Sequence, residues 1–165
     1  MHSIRVAGII PESYTDGTGI RYTIFVQGCK HGCYNCQNKE TWDFNSGTEI
    51  DIDKLMEQIE DNPLLDGITF SGGDPMYQPE QCKELAKLIK KKTNLNIWCY
   101  TGFDFEELLD NDKQRDFLNY IDVLVDGAYK EELRSLELRF RGSSNQRIID
   151  VNESLNSGEI VLLDI

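Results

Sequence analysis

The chain has 165 residues, of which 39% are hydrophobic and 28% charged, and its formal net charge is −12. That length suits one domain with a real core, so residues 1–165 read as a single domain. The acidic balance disfavours nucleic acid as a general partner, and no apolar run approaches a membrane span. The opening stretch MHSIRVAGIIPES lacks the pattern of a cleavable signal, because Pro11 and Glu12 interrupt a short apolar segment. The expectation is a cytoplasmic protein whose thiols stay reduced. Five cysteines, an odd count, also argue against full disulfide pairing.

β-Branched and alternating segments predict strands near 4–9, 21–27, 67–71, 95–100, 121–126 and 159–164. Helices are predicted between several of them. DIDKLMEQIED places Ile52, Leu55, Met56 and Ile59 on one face, with Asp51 as N-cap. QPEQCKELAKLIKKKT has Pro79 near its first turn, an apolar row of Cys82, Leu85, Leu88 and Ile89, and lysines toward its end. DFEELLDNDKQRDFLNYI reads as one broken or two short helices. The connectors 43–50 and 142–158 read as loops. Strands alternating with helices imply parallel βα units and an α/β sheet, open or partly closed. Ligands bind such sheets beyond the carboxyl ends of the strands.

The least ordinary sequence lies at those ends. After strand 21–27 comes GCKHGCYNCQN, with Cys29, Cys33 and Cys36 at spacing C-x3-C-x2-C. After 67–71 comes Ser71-Gly72-Gly73-Asp74-Pro75, and after 95–100 comes Thr101-Gly102-Phe103. Three close thiols suit a disulfide knot, zinc or an iron–sulfur cluster. Zinc in a structural site and a cubane cluster each want four ligands. His31 lies between two of the cysteines, a tight geometry for the same ion. Cys82 and Cys99 fall on a helix face and inside a strand, where cysteine is usually a small hydrophobe. Three ligands without a fourth best fit a cluster with one iron open to a small molecule, with structural zinc as the alternative.

The remaining motifs are weaker. A Gly-Gly turn between strand and helix is common, and only its place beside the cysteine loop raises it. DGTGIRYT, residues 16–23, reads as a hairpin turn, with a functional role about as well supported. RFRGSSNQR, residues 139–147, groups Arg139, Arg141 and Arg147 in an acidic protein. It reads either as a site for a carboxylate, phosphate or partner peptide, or as a solvated loop. Neither His2 nor His31 has an evident partner.

The C-x3-C-x2-C loop after one strand and the Gly-Gly-acid turn after the next resemble the radical S-adenosylmethionine superfamily. Across nearly the whole chain, DGTGIRYTIFVQGCKHGCYNCQNKETWDFNSG, TFSGGDPM, IWCYTGF, DVLVDG and RGSSNQR resemble the activases of anaerobic ribonucleoside-triphosphate reductase. The resemblance implies an incomplete, open-sided (β/α) barrel and an oxidoreductase activity. It implies a [4Fe-4S] cluster on Cys29, Cys33 and Cys36, with S-adenosylmethionine chelating the open iron. Asn35, Cys36 and Gln37 would contact that cofactor, and Gly72, Gly73 and Asp74 would meet its methionyl end. Many superfamily members carry Glu where Asp74 stands.

Reductive cleavage would then give methionine and a 5′-deoxyadenosyl radical, which takes a hydrogen atom from a glycine of the reductase. No general acid or base is implied. The reductase would be the protein substrate, and a one-electron carrier such as flavodoxin the donor. Arg139, Arg141 and Arg147 would help dock the partner. Another glycyl-radical activase, another radical S-adenosylmethionine enzyme and a zinc-stabilised binding module are the alternatives.

Overall fold

The computed structural model describes residues 2–33, 36 and 39–165. Among these, seven strands form one sheet: β1 (Ser3–Ser13), β2 (Arg21–Val26), β3 (Thr48–Asp51), β4 (Gly67–Gly72), β5 (Asn96–Tyr100), β6 (Val123–Asp126) and β7 (Arg147–Asp150). The order across the sheet is β3-β1-β2-β4-β5-β6-β7. The four central strands β2, β4, β5 and β6 are parallel, and both flanks are antiparallel. The architecture is mixed α/β with an open sheet.

Four helices connect strands, α1 (Ile52–Glu60), α2 (Pro79–Lys92), α3 (Phe105–Leu109) and α4 (Asp112–Leu118), and α5 (Val151–Ser157) follows β7. The Asp51 carboxylate caps α1 by accepting from the Asp53 and Lys54 amides, and Ile52, Leu55, Met56 and Ile59 are buried. Helix α2 starts at Pro79, ends in three lysines, and buries Cys82, Leu85, Ala86 and Ile89. The 104–121 segment resolves into α3 and α4, capped at their starts by Asp104 with Glu107 and by Asn111.

Side chains alternate across the strands and divide the sheet into two faces. Ile24, Ile68, Phe70, Ile97, Cys99, Leu124 and Ile149 join the helices in one large core. At about 1.5–3 kcal/mol for each fully buried large apolar side chain, this face supplies most of the stabilisation. Trp98, Val123, Val125 and Ile148 lie in a second, smaller cluster, with Tyr100 and Phe140 packed against it. That second face is covered by loops rather than helices, and a cavity lies there.

Three expectations are corrected. The 43–50 connector runs into edge strand β3, whose residues are mostly exposed and polar, so no apolar alternation marked it. The 142–158 connector contains β7 and α5, which Asp150 caps and Gly158, at φ 77°, closes. Residues 159–164 form no strand of the sheet, because only Leu162 bridges, to Ile149. Residues 14–20 do join two antiparallel strands, as a hairpin turn requires.

Candidate cluster site

The cysteine loop leaves the end of β2 and is stapled to its own returning chain. The Gly28 and Cys29 amides donate to the Thr41 and Trp42 carbonyls. Buried Gln27 donates its side-chain amide to the Glu40 and Asp43 carbonyls at 3.2 and 2.7 Å. The Cys36 amide donates to the Cys33 carbonyl at 3.1 Å. Cys29, Cys33 and Cys36 are partly exposed and form no disulfide, and all three line one cavity of about 460 Å³. That volume is in the range of small-molecule sites.

Burial pushes the Cys29 thiol up to about 11. Burial raises Cys33 as well. In this pocket thiolates therefore need a cationic partner, and a cluster held by thiolates supplies one. Cys82 and Cys99 are fully buried in the core and do not line the cavity. The donor set fits a cluster held by three cysteines.

The Gly-Gly turn packs directly beneath this loop. A Cβ on Gly72 would run into the Val26 backbone, and one on Gly73 into the Gly28 carbonyl. Both glycines also line the cavity. The Gly73 amide donates to the Val26 carbonyl at 2.9 Å, which leaves its carbonyl as its polar group for a ligand.

Asp74 is used differently from its neighbours. It is 0% exposed and does not line the cavity. Its carboxylate accepts from the Met76 amide, the Thr101 hydroxyl, the Gly102 amide and His31 Nε2, at 2.7–2.9 Å. His31 thus has a partner, contrary to the expectation from sequence. So does His2, which pairs with Asp53 and Glu84. Asn35 and Gln37 lie outside the described residues.

The opposite wall comes from residues 127–146. Gln146 accepts from the Gly142 and Ser143 amides and donates to the Gly127 carbonyl, while Asn145 donates to the Ala128 carbonyl. These bonds fold the RGSSNQR segment back over the sheet. Of its three arginines, Arg141 lines the cavity, donating to the Gln146 carbonyl at 2.9 Å. Its Nε is buried with no partner among the described residues. Arg139 lies 4.9 Å from the centre of the Phe140 ring. Arg147 is bound to Asp126 and Glu106, joining β7 to β6 and α3. Thr15 and Asp16 of the hairpin turn also reach the cavity.

A family model described as "4Fe-4S single cluster domain" matches residues 15–149. The class defined by the cysteine loop is therefore that of proteins carrying one such cluster. Curated relatives narrow it. The chain is 38% identical over 144 residues to the anaerobic ribonucleoside-triphosphate reductase-activating protein of Escherichia coli (strain K12), covering 82% of this chain and 92% of that protein. It is 34% identical over 146 residues to the protein of the same name from Enterobacteria phage T4, covering 85% of this chain and 90% of that one. The chain belongs to the family of anaerobic ribonucleoside-triphosphate reductase-activating proteins. Among solved structures, QueE from Escherichia coli shows a faint likeness, with TM-score 0.49 and 18% identity over 62% of this chain and 54% of that one.

Proposed function

We propose that this protein activates an anaerobic ribonucleoside-triphosphate reductase by radical S-adenosylmethionine chemistry. The observation that carries the reading is the convergence of Cys29, Cys33 and Cys36 in one cavity while the other two cysteines are sealed in the core. When bound, a [4Fe-4S] cluster and S-adenosylmethionine supply one-electron cleavage of the sulfonium and, through the 5′-deoxyadenosyl radical, hydrogen abstraction from a reductase glycine. The protein is an oxidoreductase in this reading, and the cofactor rather than a side-chain acid or base carries the chemistry.

The chain's own groups bind, orient and exclude water. The three cysteines hold the cluster. Gly72 and Gly73 meet the methionyl end of the cofactor through their backbone, and Asn35 and Gln37, on either side of Cys36 in sequence, contact the cofactor. Asp74 acts behind the turn rather than on the ligand. Arg141 on the cavity wall, Arg139 beside it and Arg147 at the start of β7, held there by Asp126 and Glu106, help dock the partner.

The open sheet, with helices on one face and the cavity on the other, supports an incomplete (β/α) barrel formed by residues 1–165 as one domain. A cleft open on one side admits a polypeptide loop. A flavodoxin-like carrier in the cytoplasm supplies the electron. Among the described residues, no helix is long and apolar enough to cross a membrane.

Anaerobic reconstitution with iron and sulfide, followed by reduction with S-adenosylmethionine, tests this reading. Wild type should form 5′-deoxyadenosine and place a glycyl radical on the reductase, seen by electron spin resonance. Cys33→Ser should abolish both. A protein that takes up zinc, stays colourless and makes no 5′-deoxyadenosine overturns it.

A further inference from the structure

His31 stands two residues from Cys29 and two from Cys33, yet its side chain leaves the cysteine loop. Its Nε2 donates to Asp74 Oδ2 at 2.7 Å, and the side chain is 16% exposed. The ring meets Phe103 edge-on at 4.7 Å between centroids and Tyr77 at 5.7 Å. Beneath it lies Gly102, where a Cβ would come within 2.6 Å of the imidazole, so only glycine leaves room for the ring. The socket is thus built from the segments that follow β4 and β5.

We propose that His31 is a positioning residue joining the two halves of the site. Its imidazole, held by Asp74, seats the Cys29–Cys33 segment on the Gly-Gly turn. This rests on reading the three cysteines as cluster ligands. Asp74, whose amide also donates to the Gly28 carbonyl at 2.8 Å, then registers cysteine loop and cofactor turn against each other. Groups just outside a metal's ligands fix ligand orientation.

The test uses the full chain, reconstituted anaerobically, as wild type, His31→Phe and His31→Gln. Phenylalanine keeps a ring in the socket without a donor; glutamine keeps a donor without a ring. Two readouts apply: iron release to a chelator, and the change in the reduced cluster's electron spin resonance spectrum on adding S-adenosylmethionine. His31→Phe should release iron about 10- to 100-fold faster, the range for lost outer-shell partners, and respond weakly to the cofactor. His31→Gln should stay near wild type in both. Should His31→Phe match wild type, or His31→Gln fall as far as His31→Phe, the proposal is overturned while the cluster assignment stands. A wild-type chain that binds no cluster overturns both.

Discussion

His2 sits between two carboxylates, with Nε2 3.0 Å from Asp53 and Nδ1 beside Glu84, so the start of β1 is tied to both α1 and α2. The hydrogen bond to Asp53, then that to Glu84, raises its pKa above the ordinary 6.5, against desolvation. The folded state therefore favours the protonated ring. Its contribution is fully present below 6.5 and is lost as pH rises through the higher folded value. Thermal unfolding of wild type and His2→Gln should differ most near pH ~5 and converge by about pH 9. Neither histidine's partner was legible from sequence, since Glu84 and Asp74 stand 82 and 43 positions away from theirs. The three cysteines were legible because their spacing lies within one short loop. The use of Asp74 was not, because it depends on where β5 ends relative to β4.

At the scale of elements, the opposite ends of the strands are held by a cation. Arg21 is 0% exposed, and its guanidinium donates to the Thr69 hydroxyl, to the Thr18, Ile68 and Asn96 carbonyls and to the Asn96 side chain. One residue of β2 thereby ties the hairpin turn to the starts of β4 and β5. Burial lowers its pKa to about 10, and it stays charged at neutral pH. Lysine cannot reproduce this fork of donors, so Arg21→Lys should lose about 3 kcal/mol in urea unfolding through unmet buried acceptors. The parallel strands and α1 and α2 could be read from sequence because long apolar periodicities mark them. Strands β3 (TEID) and β7 (RIID) hold only one and two apolar residues between charged ones, too few for a pattern to register. They form because a neighbouring strand offers an edge, a fact that lies outside their own residues.

For the molecule as a whole, the arrangement is a sheet with one dry face and one face left to loops. The helices seal the first around Phe70, Ile97 and Cys99, and residues 127–146 enclose the second around the cysteine loop. Net charge and composition foretold an acidic globular chain but not which face would be concave. That choice follows from the loops that cross the sheet, and their lengths carry no hydrophobic signature.

The same division sorts the sulfurs. Cys82 and Cys99 are at 0% exposure with thiols pushed far up by burial, while the other three border the cavity. An alkylating reagent applied to the folded, metal-stripped protein should stop at three adducts and reach all five only after denaturation. The chain thus carries an internal reference for oxidative damage: mass spectrometry of an air-exposed sample can score the vulnerable trio against a shielded pair in the same polypeptide.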